Sequence, residues 1–243
     1  MFLLIRYFLS KIPILYLILY NFNQKFFKSK EKKIFKKLFL NKNTDITIEG
    51  FPRSGNTFSY FAFNYFQKKK ISIAHHVHHE YQLIYSYFHN LPNMILIRKP
   101  DDAVKSYLIR KEFSIEPKTA FREYYYYYLI AYNLKNKLLF FKFTSITNDI
   151  DKCIKIVNKK FQKNFDTNYL NIKDKKQIYK NIDKATSEKN FSYGNKINYK
   201  YIIKMTARPQ SKRKLIKDTL RFKNFYWRKK ANEIYKEIIK ISN

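Results

Sequence analysis

Cysteine and glycine are scarce in this chain. Among its 243 residues only Cys153 is cysteine, and three are glycine. A single cysteine excludes an internal disulfide framework and any cysteine-rich metal motif, and the helical run around it favours a half-buried thiol over a nucleophile. The length suffices for one α/β domain with a full core but not for two domains of usual size. The hydrophobic content of 45% argues against long disordered stretches.

Acidic residues are few, with 18 Asp and Glu against 50 Lys and Arg, and the formal charge is +32 at pH 7. Such a balance first indicates a nucleic-acid or membrane-surface partner. However, the basic residues are spread along the whole chain and accompany an abundance of Asn, Ile, Phe and Tyr, which AT-rich codons encode. A biased genome accounts for the charge, so we expect no nucleic-acid partner. The positive field would still attract a small polyanion such as a nucleotide.

No uninterrupted apolar run at the N-terminus is long enough to span a bilayer. Residues 1–22 are strongly apolar, but the stretch Ile12–Tyr20 is too short. The polar or helix-breaking interruptions are Arg6, Ser10, Lys11 and Pro13. Interleaved basic and apolar residues favour a helix that docks on the core or lies on a membrane surface, with a signal anchor as the alternative. We expect a cytoplasmic protein with peripheral membrane contact through residues 1–22.

Strand-like and helix-like segments alternate from residue 44 onwards. Strands are predicted over residues 44–50, 71–75, 94–98 and 137–143, and helices over residues 55–66, 80–88, 117–135 and 149–161, from Pro100, and from Pro209 towards the end. Residues 162–207 have poor periodicity and are expected to form loops and short helices. The tyrosines Tyr124–Tyr128 cover every face of their helix and are interpreted as packing residues, with a base-stacking platform as the alternative.

This alternation predicts an α/β fold, a three-layer sandwich with a mostly parallel central sheet, over residues 44–243. Residues 1–43 are expected to form a separate N-terminal segment that is helical, apolar and basic. The apolar run MILIR fits a parallel strand buried on both faces. Because ligands of such sheets bind at the carboxyl ends of the strands, the loops after residues 49, 74 and 97 are expected to line one crevice.

The segment GFPRSGNT, Gly50–Thr57, lies between a predicted strand and helix. It has the spacing of a phosphate-binding P-loop, but Asn56 replaces the lysine. Backbone N–H groups of the turn and of the first helical turn favour an anion. Arg53 offers a planar fork to anionic oxygens, and Gly55 lets the backbone approach closely. Hydroxyl donors are added by Ser54 and Thr57.

A P-loop NTPase also needs a carboxylate that holds Mg²⁺. The strand MILIR ends instead in Arg98, a cation that would repel a metal and attract a second phosphate. We therefore expect no metal at this site.

The segment FPRSGNT followed by LIRKPDDAVKSYLIR resembles the paired signatures of the sulfotransferase family. The resemblance implies a P-loop-kinase-like fold and 3′-phosphoadenosine 5′-phosphosulfate (PAPS) as the sulfuryl donor. It implies that the 3′-phosphate meets Arg98 and Ser106. It also implies that the 5′ end of the donor meets Arg53, Ser54, Gly55, Asn56 and Thr57. The likeness extends over about residues 44–160.

Four of the 5 histidines lie in AHHVHHE, at the end of the second predicted strand. Many sulfotransferases carry a catalytic histidine after this strand, although the lysine of that context is missing here. His76 and His78, which share one face if the strand continues, are the candidate general bases, since a neutral imidazole suits proton abstraction from an acceptor. Arg53 would stabilise the leaving nucleotide. The alternatives are a metal site that includes Glu80, and histidines that cap the strand.

The resemblance also implies a basic segment that closes over the 3′-phosphate, here Arg208 and Arg213, although an ordinary solvated basic helix is the alternative. Together these features predict in-line transfer of a sulfuryl group from PAPS to the hydroxyl or amine of a sugar, lipid or small alcohol. One alternative is a P-loop-kinase-like phosphotransferase that needs Mg²⁺. The other is a non-catalytic basic protein that binds nucleic acid or a membrane surface.

Overall fold

The computed structural model describes residues 40–192 and 220–243, together with the single residues 8, 12, 15 and 18. The strands of the described part are β1 (Ile46–Gly50), β2 (Ile73–His75), β3 (Asn93–Ile97) and β4 (Phe140–Lys142). Its helices are α1 (Asn56–Phe66), α2 (Glu80–Phe88), α3 (Pro100–Arg110), α4 (Pro117–Asn133), α5 (Phe143–Phe161), α6 (Ile172–Ser192) and α7 (Tyr226–Ile241).

The strands form one parallel sheet in the order β2-β1-β3-β4. Ile48 of β1 pairs with His75 on one side and with Met94 on the other. The chain leaves β1 for β2, then crosses back over β1 to reach β3. The direction of winding therefore reverses between β1 and β3, and a crevice forms at such a reversal, outside the carboxyl ends of the two strands.

Helices pack on both faces of this sheet. Met94 and Leu96 of β3 belong to the core cluster that contains side chains of α1, α5 and α6. Ile95 and Ile97 belong to the opposite cluster, with side chains of α2, α3, α4 and α7. Because successive strand residues point to opposite faces, a strand covered on both sides is apolar over most of its length, as Met94–Ile97 is. The predicted α/β class and parallel sheet are confirmed.

Two helices differ from the sequence-based expectation. Helix α5 begins at Phe143, directly after β4, and its backbone leaves helical values at Asp149 (φ −135°, ψ 46°). Only the part after this kink was predicted. Helix α6 lies where loops and short helices were expected. Its lysine-rich sequence has a weak apolar pattern, and Ile178 and Ile182, one turn apart, supply its fully buried contacts with the core.

The C-terminal helix is shorter than predicted in the part that can be compared. Residues 220–225 are not helical, and α7 starts at Tyr226. Residues 193–219, including Arg208 and Arg213, lie outside the described residues, so the predicted closing segment stays a prediction.

The N-terminal predictions rest on few described positions. Phe8, Ile12, Leu15 and Ile18 all have exposed side chains. No helix in the described ranges combines the length and apolar character that crossing a membrane requires. Leu40 is buried, and its N–H donates to Gln82 Oε1 over 2.9 Å. The boundary at residue 44 and the membrane contact remain predictions.

Candidate functional site

The loop after β1 is held in a tight, partly left-handed turn. A Cβ atom on Gly50 would lie 2.5 Å from the Leu96 carbonyl oxygen, so β1 and β3 approach closely only because glycine stands there. The Ser54 N–H donates to the Phe51 carbonyl over 3.1 Å. Gly55 has φ 102°, and a Cβ atom on it would lie 3.0 Å from the ring of Phe143. Helix α1 then starts at the next residue, with its free N–H groups at the crevice.

Asn56, which replaces the P-loop lysine, turns its side chain into the loop. Its Nδ2 donates to the carbonyls of Phe51 (3.2 Å) and Gly50 (3.4 Å), and the residue is buried. Within the described residues its Oδ1 has no hydrogen-bond partner. The side chain thus closes the turn from inside. The predicted contact of Asn56 with the donor would then come from its backbone N–H group.

Ser54 is also turned inwards, and Tyr128 of α4 is the reason. The Tyr128 hydroxyl donates to the Leu96 carbonyl over 2.6 Å and accepts from the Phe51 N–H over 3.2 Å. Since its one proton is used, it accepts a second hydrogen bond from the Ser54 hydroxyl at 3.2 Å. Ser54 is 1% exposed. Contrary to the prediction, its hydroxyl does not reach the crevice.

Arg53, Arg98 and Ser106 are brought together across the switch point. Arg53 Nε donates to Ser106 Oγ over 3.0 Å, and Arg98 Nη1 donates to the Arg53 carbonyl over 2.9 Å. The Arg98 guanidinium also lies over the ring of Phe143, 4.4 Å from its centre. The ring that packs against Gly55 is therefore also a cation–π partner of Arg98. One aromatic residue at the start of α5 supports both loops.

The Arg98 guanidinium is largely buried, and a negatively charged ligand beside it would stabilise its positive charge. Burial lowers the pKa of Arg98 from its ordinary value, while the carboxylate of Asp102 acts in the opposite direction. Its backbone carbonyl accepts a 2.7 Å hydrogen bond from the Tyr124 hydroxyl. Tyr124 and Tyr128, four residues apart on one face of α4, thus fix the loops after β3 and β1 respectively.

The carboxylates that follow Arg98 lie at the start of α3. Asp101 receives both Nε (3.1 Å) and Nη2 (2.7 Å) of Arg228 from α7. This two-pronged pairing raises the pKa of Arg228, chiefly through the hydrogen bonds to Asp101. Asp101 is therefore engaged with the C-terminal helix.

The histidine cluster begins where β2 ends. His76 Nε2 shares a 2.9 Å hydrogen bond with Thr57 Oγ1, and its Nδ1 contacts Nδ1 of His75, whose ring stacks on Tyr60. His76 and His78 have φ 59° and 54°. The strand ends at His75, and the left-handed values follow it, so the condition under which the two histidines would share one strand face is not met. The contact with Thr57 places His76 beside the loop after β1.

His78 is turned back towards the end of β1. Its Nδ1 lies 2.8 Å from the Gly50 carbonyl oxygen and 3.4 Å from Glu49 Oε2. Because a carbonyl only accepts, Nδ1 carries the proton in this arrangement.

His79 caps α2, since its Nδ1 accepts from the Tyr81 N–H over 3.1 Å. The sequence indicated capping of the strand, whereas His79 caps the following helix. Among the residues with described positions, no group of three or more His, Cys, Asp or Glu is arranged to hold a metal ion.

Four residues of the site escaped sequence reasoning. Tyr124 and Tyr128 were hidden in a run of tyrosines, although their spacing of four was visible. Phe143 was assigned to a strand, and Glu49 was counted only as part of β1. Comparisons of this chain with protein-family models, with curated proteins and with solved structures found no match.

Proposed function

We propose that this chain is a PAPS-dependent sulfotransferase with a P-loop-kinase-like arrangement of its donor site. The proposal rests chiefly on one observation, the convergence of Arg53, Arg98 and Ser106 at the switch point between β1 and β3. Two guanidinium groups and the start of α1 make this crevice suited to a ligand with more than one anionic group. A nucleotide that carries phosphate at both 3′ and 5′ positions has that chemistry.

The donor would lie with its 5′ end on the loop and its 3′-phosphate on the α3 side. The backbone N–H groups that open α1, Thr57 and Arg53 would hold the 5′-phosphosulfate. Arg98 and Ser106 would hold the 3′-phosphate. Since Arg53 already contacts Ser106, the two pockets adjoin, and donor binding would exchange the Nε–Oγ hydrogen bond for bonds to phosphate oxygens.

The transfer itself needs a proton acceptor and charge stabilisation. The acceptor oxygen or nitrogen would form a bond to sulfur as the bond from sulfur to the bridging oxygen breaks, and the electron pair of that bond stays on the leaving 3′,5′-ADP. His78 or His76 would take the proton of the attacking hydroxyl or amine. Arg53 and the loop N–H groups would stabilise the negative charge on the leaving phosphate.

The same residues give less support to the phosphotransferase alternative. Its Mg²⁺ would need a carboxylate close to the end of β3, where Arg98 stands. The next acidic residue, Asp101, is paired with Arg228.

Calorimetric titration with 3′,5′-ADP, in the presence and absence of Mg²⁺, tests the proposal. We expect affinity on the order of micromolar without metal, at least about tenfold tighter than for 5′-AMP, because one phosphate–guanidinium contact is lost. Binding of ATP only with Mg²⁺ would indicate the phosphotransferase. Steeply salt-dependent binding to single-stranded DNA, without affinity for 3′,5′-ADP, would indicate the non-catalytic alternative.

A further inference from the structure

Glu49, the penultimate residue of β1, is a carboxylate with a fully buried side chain, 0% exposed. It lies on the face of β1 that packs against α2, where Thr47 also bonds to Ser86 at 2.8 Å. Removing an ionised carboxylate from water is costly unless hydrogen bonds and a partner charge compensate. An apolar residue at this position would be enough for packing. The hydrogen-bond partners of Glu49 therefore indicate why a carboxylate is present.

Those partners are concentrated on the segment that carries His78. Glu49 Oε1 accepts from the Val77 N–H over 2.7 Å and faces Gln82 Nε2 at 3.4 Å. Glu49 Oε2 accepts from the His78 N–H over 3.3 Å and lies 3.4 Å from His78 Nδ1. Three of these contacts thus hold Val77 and His78, and they support the left-handed backbone of His78 at φ 54°.

The two candidate bases, His76 and His78, differ in the hydrogen-bond contacts of their ring nitrogens. Both ring nitrogens of His76 are in contact with side chains, Nε2 with Thr57 and Nδ1 with His75. His78 uses only Nδ1, which must carry a proton because it faces the Gly50 carbonyl. The lone pair of His78 is then on Nε2, which has no hydrogen-bond partner in the parts of the chain that the structure covers. The ring is 24% exposed.

We propose that Glu49 is a positioning residue that makes His78, rather than His76, the proton acceptor, an inference that rests on the proposed sulfuryl transfer. The Nδ1 proton of His78 stays between the Gly50 carbonyl and Glu49 while Nε2 takes the proton of the acceptor hydroxyl or amine. The imidazolium formed in this step lies 3.4 Å from the Glu49 carboxylate, which stabilises its charge without taking the proton.

Other ionisable groups face Glu49 from the helices packed against β1. Glu80 of α2 acts on the same Tyr127 hydroxyl as Glu49, and its carboxylate lies 3.5 Å from His79 Nδ1. From α4 come Tyr127 and Tyr128. Burial and, second, the charge of Glu49 raise the pKa of Tyr127 well above its ordinary value, and burial dominates the upward shift of the Tyr128 pKa. Both hydroxyls therefore remain neutral around physiological pH, and Glu49 and Glu80 are the acidic neighbours to consider.

The test compares E49Q and E49D with wild type by NMR of protein labelled with ¹⁵N at its histidines, with H78A to assign the His78 signals. We expect wild-type His78 to show the Nδ1–H tautomer at neutral pH. In E49Q an NH₂ group replaces one of the two carboxylate oxygens that accept from the Val77 and His78 N–H groups, and this holds for either orientation of the amide. The preference of His78 for the Nδ1–H tautomer should therefore weaken. E49D keeps the charge and should restore the preference in part.

Turnover is followed as release of 3′,5′-ADP from PAPS with water as the probe acceptor. We expect E49Q to lose about 10²-fold in rate, the usual size of a general-base contribution, and to add no further loss in an H78A background. The control is T47V, which removes the Thr47–Ser86 hydrogen bond on the same face of β1 and should leave both tautomer and rate unchanged.

Two outcomes overturn the proposal. One is a wild-type His78 with its proton on Nε2, and the other is an E49Q variant with unchanged tautomer and rate. Failure of the proposed function would be seen separately, as absence of 3′,5′-ADP binding in wild type, and would not alter the tautomer signals.

Discussion

Arg53 Nε and Ser106 Oγ lie 3.0 Å apart, so the loop after β1 and the helix after β3 are joined by a side-chain hydrogen bond at the mouth of the crevice. These residues belong to two motifs separated by about fifty positions. Their contact, together with the 2.9 Å bond from Arg98 to the Arg53 carbonyl, makes one continuous basic surface. We therefore expect a ligand that binds one motif to contact the other as well.

Arg98→Ala should selectively weaken ligands that carry a 3′-phosphate. We expect the affinity for 3′,5′-ADP to fall about tenfold or more, the size of a lost charge-assisted contact, with little change for 5′-AMP. Calorimetric titration of both nucleotides gives the comparison. Arg110→Ala, at the far end of α3, is the matched control for net charge. Equal losses for the two nucleotides would contradict the assignment.

Arg53→Ala should nearly abolish turnover, because backbone N–H groups alone leave the charge on the departing phosphate largely uncompensated. Loss of a group that stabilises such charge costs about 10²- to 10³-fold in rate. Arg53→Lys should restore little, since its single ammonium lacks the Nε–H that meets Ser106. The measurement is the rate of 3′,5′-ADP release from PAPS, and near-normal turnover would refute the role.

The loop and its basic neighbours were predictable because their signature is local. A glycine pair between a strand and a helix defines the turn whatever surrounds it, and both Gly50 and Gly55 prove necessary on steric grounds. The inward rotation of Ser54 was not predictable, since its partner, Tyr128, lies 74 residues away. Contacts of that range depend on strand order, which periodicity does not reveal.

The geometry of the histidine segment could not be predicted from the sequence, for a related reason. Alternation assumes that a strand continues, but His76 and His78 adopt positive φ values that non-glycine residues rarely take. Hydrogen bonds from Val77 and His78 to the buried Glu49 compensate this cost. A tertiary contact thus overrides the local pattern.

His78→Ala should lower the rate of 3′,5′-ADP release by about 10²-fold, as removal of a general base does. His76→Ala should cost less than about tenfold, because that ring is held between Thr57 and His75. If both variants keep the wild-type rate, neither histidine is the base.

Tyr128→Phe should destabilise the fold by about 1–3 kcal/mol, since it leaves the buried Leu96 carbonyl, Phe51 N–H and Ser54 hydroxyl without a partner. Urea unfolding provides the free energy. Tyr132→Phe, on the same helix but partly exposed, is the control and should change stability by less than about 0.5 kcal/mol. Equal stability of the two variants would contradict the importance of the Tyr128 hydroxyl.

The thiol of Cys153 should resist modification in the native protein. Burial raises the pKa of this thiol to about 12, whereas an unfolded cysteine has a pKa of about 8.5. Between about pH 8.5 and about 12 the unfolded thiol is ionised while the folded thiol keeps its proton, so unfolding releases a proton. The stabilising effect is complete below about pH 8.5 and is lost as the pH rises through this range. Ellman's reagent at mildly alkaline pH should label the unfolded chain and spare the folded one. Rapid labelling of folded protein would contradict the burial.

The pairing of Asp101 with Arg228 has a consequence for how the protein matures during synthesis. It ties the start of α3, next to Arg98, to a helix residue that is synthesised 127 positions later. Ala231, Ile234 and Ile238 of that helix complete the core that supports α4 and its tyrosines. Nascent chains that lack α7 would expose this apolar surface, and the residues that line the crevice would not yet be fully supported. We therefore expect the crevice to be completed only after α7 has been synthesised.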